Sequence, residues 1–297
     1  MKSTQLRTLR ESGMGILFLL LMFCLSSMVQ AQKPDKNFHI FLCFGQSNME
    51  AGARPAEQDK DFNDPRFQFV AAVNMPRMQR EMGKWYTAIP PICREGNNMG
   101  PVDFFGRKMI ESIDDKYRIG VINVSVAGAK IELWDKDDYK EYIDNERDWM
   151  KAIVNQYDGN PYQRLVDMAR IAMKDGVIKG ILIHQGESNS DDPKWPERVK
   201  KIYNDLCQDL NLNPKDVPLL AGELKHEEQG GRVLAVQCGH PAELAQDSPE
   251  LLHHLSERLR EHGRPVPFQH RRYAYPRLSL CRADAETAQV QNKTLKK

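Results

Sequence analysis

Phe38-His-Ile-Phe-Leu-Cys-Phe44, followed at once by Gly45-Gln-Ser-Asn-Met49, is the stretch that decides the architecture. A short apolar run stopped by a glycine reads as a strand buried on both faces of a sheet. Residues 118–126 (RIGVINVSV) and 177–184 (VIKGILIH) have the same β-branched character, and residues 217–224 (VPLLAGEL) form a fourth candidate. Between these runs the apolar residues recur at helical spacing. Phe104, Phe105, Met109 and Ile113 follow Pro101, and Leu165, Met168, Ala169 and Ala172 follow Pro161. A third set runs from Trp195 through Val199, Ile202, Tyr203 and Leu206. Strands alternating with helices of this length predict one α/β domain, with a parallel sheet covered by helices on both faces.

Sheets of that kind carry their chemistry at the carboxyl ends of the strands. Three polar, glycine-containing turns stand there: Gly45-Gln-Ser-Asn-Met49, then Ala127-Gly-Ala-Lys-Ile-Glu-Leu-Trp134, then His184-Gln-Gly-Glu-Ser-Asn189. Turn formation alone does not require a hydroxyl, an amide and a carboxylate on one rim. Ser47 follows its strand directly, where backbone N–H groups at the start of a helix are able to stabilise an oxyanion. Gly128 lets the backbone approach a ligand closely and offers a second N–H, and the Gln185 side-chain amide offers a third donor. Three donors around one hydroxyl suit acyl transfer. Each residue also has a plainer role open to it. Ser47 can serve as a helix cap, Asn48 as a turn residue, His184 as a buried, hydrogen-bonded strand end and Trp134 as core packing.

Taken together the three turns resemble the carbohydrate esterase family 6 and sialate O-acetylesterase group of the SGNH (GDSL-like) hydrolases. The resemblance spans about residues 37–231. It implies a flavodoxin-like three-layer α/β/α sandwich and removal of O-acetyl groups from acetylated glycans such as acetylxylan or O-acetyl sialic acid. It also implies Ser47 as nucleophile, with Ser47, Gly128 and Gln185 at the oxyanion hole. Glu187 is implied in the catalytic site, where in some members it is proposed to assist the histidine. Asn48 and Trp134 are the expected substrate contacts. No cofactor and no metal are expected.

The family takes its base from an Asp-x-x-His pair near the C-terminus, and nothing after Gly231 matches that pattern. A serine hydroxyl at its free pKa is a poor nucleophile, so the base matters. The composition changes at the same place. From Arg232 to Lys297 there is no Ile, Met or Trp, five of the 8 His fall there, and Arg outnumbers Lys by 8 to 3. With a free choice of synonymous codons, a one-base shift of frame can turn residues 263–275 (GRPVPFQHRRYAY) into a string that contains Asp-x-x-His and then the pattern of a capped helix. In the same shifted frame residues 245–254 (AQDSPELLHH) can be read as a string with the pattern of a proline-bounded strand. Residues 232–297 are therefore expected to be an anomalous, out-of-frame tail, and the last strand and helix of the fold to be missing or disrupted.

At the other end, Lys2, Arg7 and Arg10 precede an apolar run from Met14 to Leu25, and Val29-Gln-Ala31 resembles a cleavage site. Residues 1–31 thus read as a signal peptide, residues 32–231 as the esterase domain, and the mature protein as periplasmic or extracellular. No stable membrane association is expected after cleavage. Charge gives little hold to polyanions: 42 Lys+Arg against 41 Asp+Glu leave a net charge of +1, which argues against nucleic acid as a partner. Five cysteines remain after the signal, with no C-x-x-C spacing, and are expected to be mostly buried free thiols. Asn123-Val-Ser125 has the form of a glycosylation acceptor but falls inside an expected buried strand. Residues 136–159 are polar and read as an insertion near the mouth of the site.

Overall fold

The computed structural model describes residues 33–51 and 53–222. The expected signal peptide, the tail, Cys238 and Cys281 lie outside the described residues. Six strands form one sheet: β1 (Phe38–Gly45), β2 (Phe67–Val70), β3 (Trp85–Thr87), β4 (Arg118–Ser125), β5 (Val177–His184) and β6 (Leu219–Ala221). Their order is β3-β2-β4-β1-β5-β6. The expected α/β architecture is present, with β1 in the middle and parallel to both neighbours. β2 and β6 extend the parallel arrangement outward.

The sheet is mixed, not wholly parallel, because β3 pairs antiparallel with β2 at the edge. A parallel return needs a long crossover, usually a helix. The link from β2 to β3 holds only a single 3₁₀ turn, Pro76–Met78, so the chain doubles back. Neither β2 nor β3 is long enough to stand out as an apolar run. The fourth sequence candidate forms β6 at the opposite edge, only three residues long.

Helices account for the remaining periodicity: α1 (Ser47–Glu50), α2 (Glu57–Lys60), α3 (Pro101–Ser112), α4 (Tyr139–Asp144), α5 (Asp148–Asn155), α6 (Pro161–Ala172) and α7 (Trp195–Asp209). Proline in the first turn, where its missing N–H leaves no bond unmade, opens α3, α6 and α7. Side chains alternate across a strand. Phe41 of β1 meets Phe105 of α3 edge-on, and Phe44, of opposite parity, meets Trp134. Both faces of the sheet are therefore covered. The polar stretch 136–159 contains α4 and α5. The described cysteines, Cys43, Cys93 and Cys207, are buried free thiols. Among the described residues no helix is long and apolar enough to cross a membrane.

The start of α3 carries a pH-sensitive group. Asp103 Oδ2 accepts from Gly100 N at 2.8 Å, but the carboxyl is buried and Oδ1 has no hydrogen-bond partner among the described residues. Burial pushes its pKa up to about 7 against the pull of the Gly100 N–H and of Arg107. A folded-state pKa above the unfolded one means that the native state holds the proton more tightly. The stability this confers is complete below the unfolded value and is lost as pH rises through about 7. Wild type is therefore expected to lose stability relative to Asp103→Asn between pH 4.5 and pH 8, about one unit above that pKa. Urea unfolding of both proteins at each pH measures this. A difference that does not change with pH would refute the assignment.

Candidate active site

Register aligns the three turns. Gly45 pairs with Ser125 on one side and with His184 on the other, so β1, β4 and β5 end at the same level. Each of the three motifs begins at that rim. The first turn depends on Gly45, whose φ is +152°. A Cβ there would lie 2.2 Å from His184 O, so only glycine lets the chain leave β1 this close to β5. Gln46 N then donates to His184 O at 3.0 Å, and Ser47 opens α1.

Ser47 is half-buried, and its hydroxyl makes no hydrogen bond to any described residue. Its backbone N–H is likewise unspent among the described residues, as is that of Gly128. Gly128 is exposed and has φ +70°, the left-handed conformation that glycine tolerates best. The structure thus brings the hydroxyl and two of the expected donors to one rim.

Gln185 is different. It is buried, and its Nε2 donates to Asn189 Oδ1 at 2.7 Å and to Ala129 O at 3.2 Å. Its Oε1 accepts from Trp195 Nε1. An indole N–H can only donate and a backbone carbonyl can only accept, so these partners fix the orientation of the amide. With its N–H groups committed, Gln185 ties the third turn to the second and is not a free oxyanion donor. Trp134 also departs from expectation. It is fully buried and packs on Phe44, so it belongs to the core and does not face a sugar.

Asn48 is exposed and donates from Nδ2 to Glu187 Oε1 at 2.5 Å, which joins the first and third motifs. The same Glu187 oxygen lies 3.8 Å from His184 Nδ1, too far for a hydrogen bond. His184 is buried as expected, yet neither ring nitrogen has a hydrogen-bond partner among the described residues. Burial holds its pKa below the usual histidine value, while the Glu187 charge pulls the other way. The one other described histidine, His39, stands at the far end of β1, about 20 Å from the rim by strand rise. No described base is hydrogen-bonded to Ser47. The family's Asp-x-x-His position falls outside the described residues.

Several positioning residues escaped the sequence reading. Gln46 Oε1 accepts from Gly186 N, Ser188 N and Gln185 Nε2 at 3.3–3.4 Å. Ser188 Oγ donates to Gly128 O at 3.0 Å, and Asn189 Oδ1 accepts from Ile131 N at 2.9 Å. Below the rim, Glu50 is buried in an ion pair with Arg94. Glu50 also accepts from Asn97 Nδ2 at 2.9 Å and from Ala127 N. Arg94 reaches on to Ser125 O at 3.2 Å. Asn123 Nδ2 donates to Met49 O and Ser125 Oγ to Asn123 Oδ1, so the acceptor-like triplet is buried and already bonded. A charged pair inside a core does leave a sequence signal: Glu50 directly follows the first motif. Its partner, 44 residues away, leaves none.

A family model described as carbohydrate esterase, sialic acid-specific acetylesterase matches residues 37–252. Among solved structures, a protein from Arabidopsis thaliana is 21% identical over 69% of this chain and 82% of its own, with a TM-score of 0.48. NanS is 18% identical over 75% of each chain, with a TM-score of 0.45. A carbohydrate acetylesterase from Xanthomonas citri is 22% identical over 61% of this chain, with a TM-score of 0.42, and the match takes in 40% of that longer protein. The rim-forming strands and all three of their turns lie inside the family match, and the chain belongs to the carbohydrate esterase family of sialic acid-specific acetylesterases, of the SGNH type.

Proposed function

We propose that this protein hydrolyses O-acetyl esters on carbohydrates, with Ser47 as the nucleophile. The observation that carries the reading is the Ser47 hydroxyl, unspent among the described residues, on the rim it shares with the Gly128 N–H, likewise unspent among them. In this mechanism Ser47 Oγ attacks the acetyl carbonyl as its proton passes to a base. The oxyanion is held by the N–H groups of Ser47 and Gly128. Collapse expels the sugar hydroxyl, and water then cleaves the acetyl-serine to acetate. Gln185, Gln46 and Asn189 hold the two flanking turns in register, and Asn48 and Glu187 form a polar edge beside the nucleophile.

Release of acetate from acetylxylan and from O-acetylated sialic acid, compared between wild type and Ser47→Ala, tests this. The variant is expected to lose at least about 10³-fold in rate. Equal release by both proteins would overturn the reading.

A second reading is a carbohydrate-binding relative without turnover. The printed chain favours it in one respect: Asp-x-x-His is absent, and no described base is bonded to Ser47. Sequencing the coding DNA across Gln229 to Val233 separates the two. A base gained or lost there restores the pair and the esterase, whereas a confirmed frame leaves Ser47 without its partner.

A further inference from the structure

We propose that Trp149 is the platform on which the sugar ring of the substrate lies, an assignment that rests on the carbohydrate reading of the same rim. The chain has four tryptophans, and three have structural duties. Trp134 and Trp195 are buried, and half-buried Trp85 donates its indole N–H to Asp175 Oδ2 at 2.9 Å. Trp149 is 46% exposed, and its N–H meets no described partner. Among the described residues only Met82 is a comparably exposed large apolar side chain.

Its position is fixed by the scaffold. Trp149 stands in α5, and the next residue, Met150, is buried beneath. Tyr142 of α4 donates its hydroxyl to Met150 Sδ at 3.4 Å and accepts from Lys130 N at 3.0 Å. The two helices are thereby fastened to the second turn. There the indole lies against Gly128: a Cβ on that glycine would be 3.1 Å from Trp149 Cη2 and 3.7 Å from Cζ2. The indole therefore borders the residue that carries one of the two proposed oxyanion donors, and a ligand whose ester reaches Gly128 brings its attached group near Trp149. A pyranose offers an apolar C–H face and a border of hydroxyls. An indole that is 46% exposed, with an N–H unspent among the described residues, complements both. Trp149 is not among the residues of the described core, and leaving an indole in water without a ligand gives the fold no benefit.

The test uses the full chain carrying Ser47→Ala, so that the ligand survives, with acetylated xylotetraose as probe in titration calorimetry. Adding Trp149→Ala is expected to weaken binding about tenfold, and Trp149→Phe, which keeps an aromatic face, less than about threefold. Unchanged affinity in Trp149→Ala would overturn the proposal, as would failure of the parent to bind at millimolar concentration. The proteins with Ser47 intact report separately. If Trp149→Ala raises KM for the acetylated sugar by a much larger factor than it changes kcat/KM for ethyl acetate, which has no ring, the platform stands. If affinity falls with Trp149→Ala while no protein releases acetate, the hydrolase reading fails and the platform survives. If Ser47-dependent release persists with KM unchanged, the platform alone fails.

Discussion

Replacing Glu50 with alanine is expected to cost about 3–5 kcal/mol of stability and most of the activity. The carboxylate and the Arg94 guanidinium are both buried, with side-chain exposures of 7% and 6%. Burial alone would draw the Arg94 pKa down, yet Tyr157, Cys93 and Glu50 together hold it above its usual value. A guanidinium keeps its proton at any ordinary pH, so Arg94 remains charged once its partner is gone. An uncompensated buried charge is far more damaging than the loss of the pair as a unit. The same carboxylate anchors Asn97 and Ala127 N, so its loss also loosens the turn that presents Gly128. Denaturant midpoints for Glu50→Ala, Arg94→Met and the double variant measure this. The double variant is expected to recover part of the loss, because the orphaned charge has been removed. A cost below about 1 kcal/mol for Glu50→Ala would mean that water reaches the pair and that it behaves as a surface ion pair.

Gly45→Ala is expected to be at least as damaging to the site. Two penalties coincide there. The backbone at φ +152° is one that L residues rarely adopt, and the new methyl would overlap the His184 carbonyl at 2.2 Å. Strain of the first kind costs about 1–3 kcal/mol. The second acts on backbone, which cannot turn away as a side chain can. Relief requires β1 and β5 to part at the rim, breaking the Gln46 N to His184 O bond and moving Ser47 away from the Gln185-Gly-Glu187 turn that follows β5. A displacement of about 1 Å at a reacting centre is enough to lower rate about 10²-fold. Gly96→Ala is the internal comparison, since Gly96 has φ +84° but nothing within 4 Å of the added Cβ. Its cost isolates backbone strain, and the excess in Gly45→Ala reads the collision. Equal unfolding free energies for the two variants would refute the steric account.

The strands at the centre of the fold were legible because burial on both faces leaves a continuous apolar run. Residues 38–44, 118–125 and 177–184 show that signature, and the helices between them show theirs after an initial proline. The outer strands were not legible. Phe67–Val70 and Trp85–Thr87 are four and three residues long, and no local pattern distinguishes so short a segment from a loop. β3 takes its direction from how the chain between it and β2 returns, which is a property of the packed chain.

The site divides along the same line. That a serine, a glycine turn and a Gln-Gly-Glu turn share one rim follows from sequence, because each directly ends a parallel strand and parallel strands end on the same side. What each side chain does there was decided by tertiary contacts. Gln185 and Trp134 carry residue types suited to a site, yet one has its amide committed to Asn189, Ala129 and Trp195 and the other is enclosed against Phe44. Trp149, within a polar stretch that gave no such indication, is brought against Gly128 by the packing of α5. Local sequence determines where the chain turns and which residue types stand at the turn. Whether a donor is free or a ring exposed depends on neighbours remote in sequence, and only the folded chain brings them together.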